Sequence, residues 1–140
     1  MHAFEPLEEA FKIFKMNKKI NNLSNLFVNQ IALSAFDGES NLNIEWDFEK
    51  IIPLGSSLGR VIAKQDIHEK RKVNTMRLDS YFEKMKIEKV DLIKLNTEGS
   101  EHEVLTGAEK VLNKFRPVLI CEVLHNLIED KLHEILDSME

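Results

Sequence analysis

The chain has 140 residues, enough for one domain and too few for two of typical size. Its 19 Lys and Arg against 24 Asp and Glu give a net charge of −5, which disfavours a nucleic-acid partner because binding to phosphates needs an excess of basic residues. The single cysteine, the lack of a signal-peptide pattern and the lack of a run of about 18 apolar residues predict a cytoplasmic protein without a membrane span.

The first part of the chain predicts a strand end followed by a helix. Pro6 has the fixed φ that suits a first helical turn. From residue 7 to residue 18 the apolar side chains recur with helical spacing, with acids at the start and lysines at the end. Beyond this helix we expect a β-favouring run, a turn and a strand with one wet face, at residues 26–33, 36–38 and 41–46.

The middle of the chain is the least regular part. Residues 47–66 contain one proline and two glycines in a mixed pattern and predict a long loop. Residues 73–78 predict a strand. Asp79 is then positioned to cap a short helix that runs to Met85.

The last third predicts a strand, a turn, a helix and a second strand. Residues 90–95 read as a strand, and Gly99 in the turn after it needs a positive φ. Ser100 and Glu103 have the spacing of a capping box, and helical periodicity predicts one helix over residues 101–115. Residues 118–123 are so continuously apolar that we expect an interior strand, parallel to 90–95.

These elements predict an α/β fold with a mostly parallel sheet. A final amphipathic helix covers the apolar residues between 127 and 136. The core is expected to bury Leu105, Ala108, Leu112 and Leu119 almost fully. No metal site is predicted, because His102, His125, His133 and Cys121 have no ligand spacing, and Cys121 reads as a small core residue.

Several strings resemble the FkbM-type S-adenosylmethionine-dependent methyltransferases. The strongest block runs from Asp-Leu-Ile-Lys-Leu-Asn-Thr-Glu-Gly-Ser-Glu at 91–101, through Leu-Thr-Gly-Ala at 105–108, to Arg-Pro-Val-Leu-Ile-Cys-Glu-Val at 116–123. Shorter matches are Ala-Phe-Glu-Pro at 3–6, Asn-Gln-Ile-Ala-Leu-Ser at 29–34 and Arg-Leu-Asp-Ser at 77–80. The resemblance implies a Rossmann-like class I methyltransferase fold, S-adenosylmethionine as cofactor, and O-methylation of a hydroxyl on a sugar or small metabolite.

The resemblance also implies site residues. Glu5 matches the carboxylate that holds the cofactor's ribose, and Ser34 lies in a second matching string near the cofactor. Without the family resemblance, Glu5 is interpreted as a solvated acid beside a helix N-terminus. Glu98 is the candidate base or orienting group for the acceptor hydroxyl, with a plain turn carboxylate as the alternative. Asn96 stands where the family usually has Asp, so it keeps a hydrogen-bonding oxygen without the charge.

The matching strings do not cover two parts of the family domain. The first strand with its Gly-rich loop and the C-terminal hairpin are missing, and no Gly-x-Gly string occurs in the chain. We therefore expect residues 1–140 to be a partial methyltransferase domain, in which a dimer partner or a further segment completes the sheet. The alternative function is that of a non-catalytic remnant or interaction module that keeps the α/β core.

Overall fold

The computed structural model describes residues 1–45, 57–58, 68–123 and 128–137. Within these ranges, strands and helices alternate at both ends of the chain. The elements are β1 (His2–Phe4), α1 (Glu8–Ile20), β2 (Phe27–Asn29), β3 (Ala32–Leu33), β4 (Gly38–Glu45), β5 (His68–Met76), α2 (Leu78–Met85), β6 (Leu92–Leu95), α3 (Glu101–Thr106), α4 (Glu109–Phe115), β7 (Val118–Cys121) and α5 (Glu129–Asp137).

The described strands form three small sheets. β1 pairs with β2 and β6 pairs with β7, both in parallel. The third sheet has the order β3-β5-β4, in which β5 is parallel to β3 and antiparallel to β4. The predicted α/β architecture with parallel pairing is confirmed.

Helix α1 forms where the sequence predicts it. Leu7 is its extended N-cap residue, acids occupy the first turn and lysines the last, and Lys12 pairs with Glu8 one turn earlier at 2.6 Å. The charges therefore complement the helix dipole at both ends. The chain leaves the helix through Asn22, which has the left-handed φ of 53° that asparagine tolerates.

Strands β4 and β5 form a longer hairpin than expected. The alternation of β4 is confirmed, since Leu42 and Ile44 are buried. The predicted start of the next strand at residue 73 is wrong, because β5 begins at His68 and pairs with Glu45 at the far end of β4. Trp46 and most of the expected loop at 47–66 lie outside the described residues.

Two basic residues of β5 form ion pairs within the strand, across the hairpin and with α1. Arg71 lies 2.7 Å from carboxylate oxygens of both Glu9 and Glu69, and Lys72 lies 2.6 Å from Glu39 across the hairpin. Arg71 and Lys72 therefore tie β5 to α1 and to β4 through ion pairs.

The single helix expected over residues 101–115 is two helices, α3 and α4, with the break at Gly107 and Ala108. A close backbone contact lies at this break. A Cβ on Gly107 would lie 2.1 Å from the carbonyl oxygen of Ser34, so the backbone of the segment after β3 packs directly on the break.

Asp79 stabilises the start of α4 instead of the start of α2. Its carboxylate accepts the backbone N–H groups of Lys110 at 3.1 Å and Val111 at 3.0 Å. The cap residue of α2 is Arg77, which makes no side-chain capping bond. The predicted capping role was therefore correct for the residue type and wrong for the helix.

The parallel pairing of the two strands in the last third is confirmed, with Leu92 opposite Val118 and Leu95 opposite Cys121. The expectation that β7 is an interior strand is wrong. Val118 and Ile120 are 62% and 50% exposed, because this face of the sheet carries no layer among the described residues. β7 also ends at Cys121, two residues early.

The main core lies between the β6–β7 sheet and helices α2 to α5. Leu105, Ala108 and Leu112 are buried as predicted, whereas Leu119 is only half-buried. Leu119 lines a small cavity of about 110 Å³ beneath α5, which explains its residual exposure. Cys121 packs on the same core, as expected for a small apolar residue.

The described part of helix α5 begins at Glu129 and buries Leu132, and Leu127, where the predicted helix begins, lies outside the described residues. None of the helices in the described ranges is long and apolar enough to cross a membrane.

The break at Gly107 can be tested by adding one methyl group. Gly107→Ala should lower the free energy of unfolding by about 2–3 kcal/mol, because the new Cβ forces the Ser34 backbone away. Urea unfolding of this variant should be compared with Thr106→Ala, which removes an exposed hydroxyl that donates only to the His102 carbonyl. Equal stability of the two variants would show that the close approach is not a constraint.

Candidate functional site

Glu5 lies directly after β1, at the carboxyl end of the strand. Its Oε1 accepts the backbone N–H of Leu7 at 2.8 Å, and its own N–H donates to the Asn29 carbonyl at 3.0 Å. Burial raises the pKa of the Glu5 carboxyl above its ordinary value, and the Leu7 hydrogen bond partly opposes this. The structure thus holds a half-buried carboxylate by one oxygen at the end of a parallel strand.

A hydrogen-bonded network that the sequence analysis missed fixes this end of β1. The Tyr81 hydroxyl donates to Asn29 Oδ1 at 3.2 Å and lies 2.7 Å from His2 Nδ1. Asn29 Nδ2 donates in turn to the Ala3 carbonyl at 3.1 Å. The Tyr81 ring also packs edge-on against Phe4 at 4.8 Å. Tyr81 occurs in α2, far from β1 in sequence, so no local pattern could reveal the contact.

The turn after β6 contains the other candidate residues. Asn96 is exposed, whereas Glu98 is half-buried and has a φ of 54°. Gly99 follows with a φ of 98°, which confirms the predicted positive φ. Two successive residues in the left-handed region turn the chain sharply, and only one of them is glycine.

Glu101 holds this turn in place. It is fully buried, and its carboxylate accepts the N–H of Thr97 at 2.6 Å and that of Gly99 at 3.0 Å. These two bonds bracket Glu98, so they fix the backbone on both sides of it. Glu101 is not among the residues predicted from the sequence, although a carboxylate at the first position of a helix is a recognised partner for preceding backbone N–H groups.

The expected capping box at the start of α3 is wrong. Ser100 makes no side-chain capping bond; its hydroxyl lies 3.3 Å from that of Ser57. Glu103 accepts a hydrogen bond from the Ser34 hydroxyl at 3.2 Å. Both residues are used for contacts to distant segments, which compete with the local motif.

Ser34 is fully buried, and its backbone N–H donates to the Met76 carbonyl at 3.1 Å. With its hydroxyl on Glu103, it joins β3 to β5 and α3. A role of Ser34 in cofactor binding stays a prediction, and the structure gives its hydroxyl a protein partner.

The candidate residues lie at the carboxyl ends of two parallel pairs. Phe4, which precedes Glu5, packs on the same core that buries Leu95 at the end of β6. Glu5 and the Asn96–Glu98 turn thus each follow the carboxyl end of a strand that packs on this core, and ligands of open α/β sheets bind outside such strand ends. No group of three or more metal-ligating side chains occurs in the part of the chain that the structure describes.

A fold of this class, α/β with parallel strands and acids after their carboxyl ends, is consistent with the Rossmann-like methyltransferases. A family profile described as "Methyltransferase FkbM domain" matches residues 1–140. The chain therefore belongs to the FkbM methyltransferase family, and this membership supports a methyltransferase function.

A solved structure supports the fold. The chain is similar to the crystal structure of Methyltransferase FkbM from Methylobacillus flagellatus KT, with a TM-score of 0.60 and 15% sequence identity. The similarity covers 97% of this chain and 29% of that one, so the chain spans less than a third of the length of this relative. Comparison with curated proteins gave no match.

The role of Glu101 predicts a stability difference between two neighbouring acids. Glu101→Gln should lower the free energy of unfolding by about 2 kcal/mol, because an amide cannot accept both backbone N–H groups and leaves one unpaired. Glu103→Gln is the matched control and should cost less, since it accepts only the Ser34 hydroxyl. Denaturant unfolding of both variants measures the difference, and a larger loss for Glu103→Gln would contradict the assignment.

The raised pKa of Glu5 predicts a pH-dependent cost of its charge. The folded chain binds this proton more tightly than the unfolded chain, so stability falls as pH rises through and above the ordinary value of 4.5. Glu5→Gln keeps an acceptor for Leu7 without the charge. It should be more stable than the natural chain at pH 7 and equal to it below pH ~4. Thermal unfolding across this range tests the sign.

Proposed function

We propose that the chain is part of an S-adenosylmethionine-dependent methyltransferase that methylates a hydroxyl group on a sugar or small metabolite. The observation that carries the proposal is the position of Glu5. In a chain that belongs to a methyltransferase family, a half-buried carboxylate at the carboxyl end of β1 supports ribose binding.

The geometry of Glu5 suits two adjacent ribose hydroxyls. The Leu7 N–H fixes Oε1 at 2.8 Å and so orients the carboxylate plane. A carboxylate has about four acceptor positions, of which Leu7 uses one. Partial burial strengthens hydrogen bonds to the remaining positions because water competes less for them. Glu5 therefore fits the ribose of the cofactor.

The chain offers fewer binding groups to the methionine end of the cofactor than to its ribose. No Gly-x-Gly string occurs in its 140 residues, and such a loop lets backbone N–H groups approach a ligand closely. The residues present therefore fit the nucleoside part of S-adenosylmethionine better than the amino-acid part.

When bound, the cofactor would supply an electrophilic methyl group on a sulfonium. The chain's own residues would orient the acceptor and remove its proton. The backbone N–H groups on both sides of Glu98, those of Thr97 and Gly99, donate to Glu101 and so hold Glu98 in position. Glu98 would accept the proton of the acceptor hydroxyl on its carboxylate. The exposed Asn96 amide would help to orient that hydroxyl without carrying a charge. Positioning of this kind supplies much of the rate in group transfer.

A second function, that of a non-catalytic interaction module, is favoured by one specific observation. β1 and β6 each pair with one neighbour only in the ranges described, so both strands present an open edge near the candidate site. Open edges are surfaces for association. Cofactor binding distinguishes the two functions.

Calorimetric titration with adenosine and with S-adenosylmethionine tests the proposal. Because Glu5 addresses the ribose, we expect weak binding of both ligands with similar affinity. Glu5→Gln should weaken both about tenfold, equivalent to about 1.4 kcal/mol. Glu8→Gln is the matched control, since Glu8 pairs with exposed Lys12 on the next turn. Equal affinities of the natural chain and Glu5→Gln would overturn the role of Glu5, and no binding of either ligand would favour the interaction module.

A further inference from the structure

A groove of about 660 Å³ lies between the C-terminal half of α1 and strand β2, and we call it the α1 groove. Its apolar surface comes from Phe11, Leu23 and Val28, and its charge comes from Lys15, Lys18 and Lys19. The groove is built from residues other than the candidate site residues, so its function is independent of methyl transfer.

The charge of the α1 groove opposes that of the chain. No acidic side chain lines it, although the chain as a whole has a net charge of −5. The three lysines form no ion pair with any residue in the described ranges. Lys18 lies instead over the ring of Phe27 at 5.9 Å and Lys15 over the ring of Phe11 at 5.4 Å. The groove therefore presents three uncompensated positive charges beside apolar surface.

The α1 groove also borders an open strand edge. Phe27 N–H donates to the Met1 carbonyl at 2.9 Å, and Glu5 N–H donates to the Asn29 carbonyl at 3.0 Å. Alternate residues of a parallel strand bond to the same neighbour, so the N–H and C=O of Val28 point away from β1. No strand pairs with that edge in the described part of the chain.

We propose that the α1 groove binds an extended acidic segment of a partner protein, which adds as a strand to the open edge of β2 and places its carboxylates against Lys15, Lys18 and Lys19. The edge supplies backbone hydrogen bonds, and successive side chains of the added strand point to opposite faces of the sheet, so that acids at alternate positions all face the lysines of α1. Lysines beside an edge strand repel basic strands and disfavour apolar ones, whose pairing would desolvate the charges, but they attract an acidic strand.

Two other occupants fit the α1 groove less well. A second copy of this chain that paired through β2 would bring two sets of three lysines together, and like charges across an interface disfavour association. A flat anionic bilayer could meet the lysines, but it offers no backbone groups to the open edge at Val28.

Fluorescence anisotropy with a labelled peptide of alternating glutamate and valine tests the proposal on the full chain. We expect binding that weakens as salt rises. Exchange of Lys15, Lys18 and Lys19 for glutamine should weaken it at least tenfold. Circular dichroism should first show that the variant is folded. No binding of the peptide to the natural chain would overturn the proposal.

A matched control separates the α1 groove from general charge. Exchange of the exposed Lys70, Lys84 and Lys131 for glutamine changes the net charge equally and should leave peptide affinity within about twofold. An equal loss in both triple variants would show non-specific attraction and overturn the proposal.

Two further arms test the strand edge and the alternative partner. N-methylation of either all valines or all glutamates blocks one edge of the peptide, and one of these two peptides should lose binding. Unchanged binding of both would overturn strand addition.

Phosphatidylserine vesicles should bind the natural chain and the groove variant equally. Lysine-dependent vesicle binding without peptide binding would assign the surface to a membrane instead.

Discussion

The close packing of Ser34 on Gly107 is the contact on which the rest of the described fold depends. Because a side chain at Gly107 would lie 2.1 Å from the Ser34 carbonyl oxygen, only glycine lets the segment after β3 reach the α3–α4 break. The Gly107 carbonyl then accepts the N–H of Asp79 at 3.0 Å, while the Asp79 carboxylate caps α4. One glycine therefore joins the β3-β5-β4 sheet, α2 and the two helices of the last third.

The same packing reaches the candidate site through α3. With Ser34 against Gly107, its hydroxyl donates to Glu103, which fixes the orientation of α3. Glu101 lies half a turn earlier and holds the backbone N–H groups of Thr97 and Gly99. The left-handed conformation of Glu98 costs about 1 kcal/mol or more for a residue with a Cβ. Its persistence in the turn follows from these two bonds to a buried carboxylate.

The sequence allowed prediction of the features that depend on neighbours along the chain. Helix α1 and strands β6 and β7 follow from local periodicity, and the positive φ of Gly99 follows from its place in a turn. The helix break, the long hairpin and the missing capping box depend on contacts with distant residues. Ser100 meets Ser57, Glu103 meets Ser34 and Arg71 meets Glu9. The exposed face of β7 was mispredicted because an apolar run indicates what a strand could bury and not whether a layer covers it.

The candidate site residues differ in exposure, in hydrogen-bond partners and in the energetic cost of their charge. Asn96 is exposed, and the Ser34 hydroxyl is buried with a protein partner, so neither needs a ligand to explain its environment. Glu5 is different, because burial raises its pKa and so makes its charge costly in the folded chain. An uncharged side chain could accept the Leu7 N–H equally well, and a charged one has no cation within the described contacts. A destabilised carboxylate at a strand end is what a group retained for binding would show, and Glu5 has this property.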